Sequence, residues 1–441
     1  MGKYFGTDGI RGKANGKLTP ELALKVGQYL GYVYRGKRVL IGQDTRLSSS
    51  MLASALAAGI TSMGADAYQL GVCATPALAY TVKHETFEAG VMISASHNPF
   101  EDNGLKVFSH QGTKIDDTLE GHIEAYIDGE ETLEFASPKE IGIVVDYKQG
   151  MNAYRAYLEA IIHNRFDDLK VALDLANGSA VSSAKQVFEA CGATVFVMND
   201  QPDGVNINVD AGSTHPEKLQ AFVVEKGCDV GFAFDGDADR CLAVDHTGTL
   251  IDGDNILYAF GVFMKREGSL NDNTVVATVM ANLGFTRSLE KAGIHMLATQ
   301  VGDKYVYQKM VEGDYSLGGE QSGHIILRDY ATTGDGVLTA LKLAQVMVHE
   351  NKSLHDLVAP CMRFPQLLKN VPVASKEVFM SHPLVLKELE VITEALGDEG
   401  RILVRPSGTE ELVRVMVEAK TDELCHQYVE QMIQVIESIK M

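Results

Sequence analysis

Basic side chains are in short supply: 39 lysines and arginines face 59 aspartates and glutamates, a formal net charge of −20 at neutral pH. A nucleic-acid surface needs the opposite balance, so no nucleic-acid partner is expected. An anionic small-molecule substrate would need local basic groups to overcome the field of the whole chain. A run apolar and long enough to span a bilayer is also missing. The longest uncharged stretch, between Arg46 and Asp66, is rich in Ala and Ser and reads as an amphipathic helix, so no membrane association is expected. The N-terminal MGKYFGTDGIRG has no signal-peptide core, and Gly6 stands where myristoylation needs Ser or Thr. The six cysteines (Cys73, Cys191, Cys228, Cys241, Cys361, Cys425) form no CxxC pair. That disfavours zinc and disulfides and predicts reduced thiols in the cytoplasm.

The 441 residues exceed what one hydrophobic core usually holds, so about two to four domains are expected. Strand and helix signals alternate in a pattern that occurs three times. Val39-Leu40-Ile41, an Ala-rich helix to Gly64, and Ala67-Tyr68-Gln69-Leu70 make the first occurrence. Val171-Ala172-Leu173, a helix to Cys191-Gly192, and Thr194-Val195-Phe196-Val197 make the second. Val275-Val276-Ala277, a helix to Gly293, and Ile294-His295-Met296-Leu297 make the third. Each has a glycine where a helix end needs a left-handed residue. The reading is α/β: three related domains built on βαβ repeats, at 1–150, 151–252 and 253–364. From about Pro365 the pattern changes to strands Arg401–Val404 and Leu412–Val417 and a helix capped by Thr421. This predicts a smaller C-terminal α+β domain at 365–441.

Each repeat continues into another short apolar strand that ends in a polar loop of small residues. These loops are SASHNP (94–99), DGDADR (235–240) and GGEQSGH (318–324). Ligands bind at the carboxyl ends of strands in open α/β sheets. Three equivalent strand ends with unusual chemistry therefore predict one composite site.

Asp235, Asp237 and Asp239 alternate at a strand end, where extended geometry would send all three carboxylates to one side. Such carboxylates repel unless a cation sits among them, and oxygen-only donors favour Mg²⁺, Mn²⁺ or Ca²⁺. An EF-hand is excluded, because Arg240 and His246 occupy the positions of its glycine and its glutamate. The alternative is an acidic surface turn. Ser96 has small neighbours that leave its hydroxyl accessible, and no GxSxG elbow surrounds it. An ordinary Ser/Asn/Pro turn competes with a nucleophile there, and the equivalent placement of the metal loop favours the nucleophile. Arg405, Ser407, Gly408 and Thr409 together suit a phosphate, which Arg414 could also reach, against a plain hairpin turn. Glu320, Ser322 and His324 offer the mixed donors and acceptors that sugar hydroxyls need. Either Arg11 or Arg46 could turn toward a phosphoryl group, with an Arg–Asp pair as the competing reading for both. Lys106, soon after Ser96, could approach the same centre.

FGTDGIRG (5–12), the Ser96 loop, DGDADR, GEQSGH and RPSGTE (405–410), in that order, resemble the motifs of the α-D-phosphohexomutase superfamily over nearly the whole chain. The resemblance implies four domains around a central cleft, one Mg²⁺ per chain and a phosphorylated Ser96. It implies interconversion of glucosamine 6-phosphate and glucosamine 1-phosphate through a sugar 1,6-bisphosphate, a step toward UDP-N-acetylglucosamine. GEQSGH resembles the form that handles glucosamine phosphates, whereas relatives that handle glucose and mannose phosphates usually carry a different residue where Gln321 stands. The metal ligands would be Asp235, Asp237, Asp239 and a phosphoryl oxygen on Ser96. Arg11 would contact the phosphoserine, Lys106 would transfer a proton and His97 would lie beside them. Glu320, Ser322 and His324 would hold the sugar, and Arg405, Ser407, Gly408, Thr409 and Arg414 the other phosphate. Sugar phosphates are the partners implied, and a homodimer is allowed. Two departures stand out: Glu411 where the family generally has proline, and Lys304 where arginine is common.

Overall fold

The computed structural model describes residues 2–439 except 374 and 407–410, together with all their side chains but those of Lys376 and Glu377. Two compact units result: Met1–Met280 with Gly293–Ala359, and Ala281–Ala292 with Pro360–Met441.

The first unit carries three sheets with one shared plan. In each, three parallel strands lie in the order second, first, third, and a fourth returns antiparallel beside the third. The first sheet uses Asp66–Val72, Arg38–Gln43 and Ala89–Ile93, with Asp102–Ser109 antiparallel. The second uses Thr194–Met198, Lys170–Asp174 and Val230–Phe234, with Cys241–Asp245 antiparallel. The third uses His295–Thr299, Thr274–Thr278 and Leu317–Gly319, with Ile325–Leu327 antiparallel. Every residue of Ala89–Ile93 and of Val230–Phe234 is buried, as a continuous apolar run covered on both faces requires. The predicted glycines do end the connecting helices: Gly64, Gly192 and Gly293 have φ of +98°, +103° and +67°. The three polar loops each join a third strand to a fourth, so equivalent turns of three sheets present them.

In the second unit, Leu412–Ala419 lies between Gln366–Pro372 and Gly400–Pro406 in an antiparallel sheet. Helices Pro383–Leu396 and Asp422–Ile439 supply Ile392, Val429, Met432 and Ile436 to its core. The Thr421 hydroxyl accepts the Leu424 N–H at 3.3 Å, the expected cap. Helix Leu283–Lys291 belongs to this unit: the Leu283 N–H donates to the buried Glu418 carboxylate at 2.9 Å, and Arg401 Nε donates to the same oxygen at 2.8 Å.

Candidate active site

Asp235, Asp237 and Asp239 are buried, and one oxygen of each lies within 4.8 Å of the others. They converge by a tight turn and not by the extended alternation expected. The Ala238 N–H donates to the Asp235 carbonyl at 3.1 Å, and Ala238 is left-handed at φ +55°. Asp237 Oδ2 accepts from Thr75 Oγ1 and from Lys106 Nζ, the latter at 2.8 Å. Asp237 Oδ1 and Asp239 Oδ1 are buried with no hydrogen-bond partner among the described residues. Two orphaned anionic oxygens in an all-carboxylate set fit a hard divalent cation such as Mg²⁺. Burial and the charges of Asp239 and Asp237 push the Asp235 carboxyl well above its usual range, the strain that a cation relieves.

Ser96 is also buried, and its hydroxyl donates to Asp235 Oδ2 at 2.5 Å. It occupies the left-handed region, φ +53°, a conformation costly for a side chain with a β-carbon. Its surroundings hold it there. Its N–H donates to Ser94 Oγ at 2.9 Å, and its carbonyl accepts from Arg46 Nη2 and Asn208 Nδ2, each at 2.9 Å. Arg46 is thereby a structural residue, paired to buried Asp44 at 2.8 Å. Gly236 lets the serine loop and the metal loop touch, since a β-carbon there would lie 2.5 Å from the Ser96 carbonyl oxygen. His97 Nδ1 is 3.3 Å from Ser96 Oγ. Burial and the charges of Arg240 and Arg11 lower His97 to about 4, so its imidazole is neutral at neutral pH.

Lys106 lies buried among three carboxylates: Asp237 at 2.8 Å, Asp8 at 3.0 Å and Asp239 at 3.2 Å. Burial works to discharge it, but these three anions outweigh burial and hold it as an ammonium well past its usual pKa. Arg11 pairs with Asp8 and keeps its Nε buried without a hydrogen-bond partner among the described residues. Arg240 likewise has an orphaned buried Nε, with Asp239 Oδ1 at 3.9 Å. Two arginines with unused donors beside the serine and metal loops form a place for phosphoryl oxygens.

In the third loop, Glu320 is half-buried and accepts the Gly302 N–H at 3.2 Å. His324 is buried, accepts the Gly334 N–H on Nε2 at 3.0 Å, and turns Nδ1 toward Asp239 at 3.8 Å. The accepted bond assigns the proton to Nδ1. Ser322 is exposed. In the second unit, Arg405 and Arg414 are directly opposed across two antiparallel strands. Burial and the charge of Arg414 both lower the pKa of Arg405. Like charges opposed in a sheet cost stability unless an anion joins them. Arg414 Nε is buried and unpartnered among the described residues. Ser407, Gly408 and Thr409 lie outside the described residues.

Four family models describe the chain in order: phosphoglucomutase/phosphomannomutase α/β/α domains I, II and III at residues 2–134, 145–248 and 252–364, and the C-terminal domain at 368–435. A phosphoglucosamine mutase of Lachnoclostridium phytofermentans is 52% identical over 99% of this chain and 98% of its own. One from Streptococcus pneumoniae is 50% identical with the same coverage. The chain belongs to the phosphoglucosamine mutases of the α-D-phosphohexomutase superfamily. Among solved structures, a phosphoglucomutase/phosphomannomutase family protein of Burkholderia thailandensis shares the fold at TM-score 0.81 and 23% identity, over 98% of this chain and 97% of that one. Aspergillus fumigatus N-acetylphosphoglucosamine mutase, solved with GlcNAc-6P and magnesium, matches at TM-score 0.71 and 16% identity over 99% and 96%.

For a phosphohexomutase the site contains more than the motif residues singled out from sequence. Asp8 and Arg240 lie inside quoted motifs, yet the motifs alone gave no reason to separate them from turn residues. Lys114 and Asp303 carried no signal at all: they are 189 positions apart and meet at 2.7 Å. No helix among the described residues is long and apolar enough to cross a membrane.

Proposed function

We propose that this chain interconverts glucosamine 6-phosphate and glucosamine 1-phosphate by exchanging phosphoryl groups between Ser96 and the sugar. The observation that carries the reading is the buried Ser96 hydroxyl, aimed into three converging carboxylates and flanked by Arg11, Arg240 and Lys106.

In the first half-reaction, O1 of the 6-phosphate attacks the phosphorus on phosphorylated Ser96. The new O1–P bond forms as the Oγ–P bond breaks, and the proton lost by O1 is made up on the departing Oγ, which becomes the free Ser96 hydroxyl. The product is the 1,6-bisphosphate. After it turns, Ser96 Oγ bonds to the 6-phosphorus as the O6–P bond breaks, and the proton lost by Oγ is made up on O6, releasing glucosamine 1-phosphate and restoring the phosphoserine. The protein's work in such a transfer is positioning and charge stabilisation. Arg11 and Arg240 give donors to the phosphoryl oxygens. Lys106, held as an ammonium, lends charge to the group in flight and relays the proton, giving one to the leaving oxygen as it regains one from the attacking hydroxyl. The neutral His97 imidazole orients the serine oxygen. Asp235, Asp237 and Asp239 would hold Mg²⁺, which supplies Lewis-acid neutralisation of charge on the transferring group. Glu320 and His324 meet the sugar hydroxyls, with Ser322 at the exposed rim.

The Arg405–Arg414 pair is assigned to the phosphate that is not reacting, together with Ser407, Gly408 and Thr409. Arg405→Ala is expected to remove a charge-assisted contact of about 2–3 kcal/mol. KM should rise in both directions and more 1,6-bisphosphate should escape per turnover. Unchanged KM and no extra bisphosphate in solution would make Arg405 a structural residue of the strand.

Two measurements test the function itself. Intact mass after gentle purification should show one added phosphoryl group on the Ser96 peptide. The ratio kcat/KM should be highest for glucosamine 6-phosphate among the glucosamine, glucose and mannose 6-phosphates. Equal or higher values for glucose or mannose would move the chain to a different specificity within the superfamily.

A further inference from the structure

Lys106 does not choose its position alone. Asp8, one of its three anions, offers Oδ2 to Lys106 at 3.0 Å and Oδ1 to Lys114 at 2.7 Å. Lys114 follows the turn that ends strand Asp102–Ser109, and only 16% of its side chain is exposed. Its ammonium also reaches both oxygens of Asp303, at 2.9 and 2.7 Å, and the Thr7 carbonyl at 3.3 Å. Asp303 is the first residue of helix Asp303–Glu312. The residue before it, Gly302, donates its N–H to Glu320 Oε1 at 3.2 Å. A continuous set of contacts therefore runs from the sugar loop through Asp303, Lys114 and Asp8 to Lys106, and from there to Asp237 and Asp239. The turn bearing Lys114 is fixed a second time, since Thr332 Oγ1 donates to the Gly112 carbonyl at 2.5 Å.

We propose that Lys114 is a positioning residue for Lys106: by occupying one oxygen of Asp8 and anchoring to Asp303, it sets where Asp8 holds the Lys106 ammonium. The charge arithmetic supports this. Asp8 faces three cations, Lys106, Lys114 and Arg11, and Lys114 alone also carries the anion Asp303. Without Lys114, half-buried Asp303 loses the ammonium paired with it, and the undivided charge of Asp8 draws Lys106 and Arg11 toward it, away from the metal loop. A two-point contact of half-buried ions restricts both partners, since partly desolvated charges are costly to separate. The same contacts link Lys106 to Glu320, so the group that meets the sugar and the group that meets the phosphoryl share one frame.

This inference rests on the role given above to Lys106, and the experiment separates the two. Single-turnover discharge of Ser96-phosphorylated enzyme by glucosamine 6-phosphate is measured for Lys114→Met, Asp303→Asn, their double variant, Lys114→Arg and Lys106→Met. Lys114→Met and Asp303→Asn should each slow discharge by about 10- to 100-fold with KM changed less than about threefold, the pattern of a lost transition-state contact. Because they act on one chain of contacts, the double variant should be no slower than the worse single one. Lys114→Arg should recover most of the rate. Multiplicative loss in the double variant overturns the proposal, as does a rise in KM with the rate intact. If Lys114→Met fails to fold, as thermal unfolding would reveal, Asp303→Asn and Lys114→Arg decide: normal discharge in Asp303→Asn overturns the proposal. Normal discharge in Lys106→Met would instead remove the role of Lys106 itself.

Discussion

Ser96→Ala is expected to lower turnover by at least about 10³-fold while the fold is retained, because a covalent route is removed and no other group takes it over. The neighbouring hydroxyl cannot substitute. Ser94 Oγ donates to buried Asp44 at 2.7 Å and accepts the residue-96 N–H at 2.9 Å, so both of its roles are used in holding the loop. Alanine at 96 keeps that N–H and the carbonyl that binds Arg46 and Asn208, and it pays a left-handed backbone cost similar to that of serine. The structural loss is one hydrogen bond to Asp235, about 1 kcal/mol. Steady-state turnover with added 1,6-bisphosphate, circular dichroism and intact mass together check this. The variant should show native ellipticity, no phosphorylated peptide and residual turnover only. Turnover near that of the parent chain would end the phosphoserine mechanism.

The three-sheet architecture was legible because each repeat spends its apolar residues on a strand buried on both faces and then breaks into a polar loop. Gly64, Gly192 and Gly293 marked the helix ends, since glycine adopts positive φ without steric cost and so leaves a trace in sequence. The loops declared their chemistry by composition. What composition cannot carry is long-range pairing. Nothing local to Lys106 announces that its partners come from Asp8, Asp237 and Asp239, or that Lys114 meets Asp303. Backbone conformation was hidden for a related reason. Ser96 and Ala238 both take left-handed φ, yet neither residue type signals it, so the metal loop read as extended when it is a turn. Helix Leu283–Lys291 was expected with its neighbouring strands, but it hydrogen-bonds to Glu418 in the second unit through the Leu283 N–H, a contact across 135 positions.

Arg46 and Arg11 show how burial separates two identical sequence readings. Both stand near an aspartate in a stretch that also holds glycine. Arg46 is fully enclosed and turns all three of its nitrogens to the protein, on Asp44, Ser96, Pro99 and Asp102. Arg11 makes one pair with Asp8, keeps Nε free and has 26% of its side chain exposed. The free donor, and not the arginine itself, identifies the residue available to a phosphoryl group.

Asp237→Asn should weaken divalent-cation binding by about 10- to 100-fold and turnover by at least about 10²-fold, since one anionic oxygen ligand becomes a neutral amide. The position is severe because its two oxygens have different duties. Oδ2 is committed to Lys106 and Thr75, while Oδ1 is buried with no hydrogen-bond partner among the described residues and is the oxygen left for a metal. If the amide oxygen stays toward Lys106, an NH₂ group is directed at the metal; if it flips, the NH₂ faces the Lys106 ammonium. Neither orientation serves both neighbours. Lys106 keeps Asp239 and Asp8, so the variant should remain folded. Calorimetric titration with Mg²⁺ gives a readout independent of activity, and Mn²⁺ binding followed by electron paramagnetic resonance gives a second. Both should show the weakened site, and excess chelator should abolish turnover of the parent chain. An unchanged titration in Asp237→Asn would remove Asp237 from the ligand set. Full activity of the parent chain at zero measured metal content would remove the cation from the mechanism, leaving Lys106, Arg11 and Arg240 to supply the positive charge opposite the transferring group.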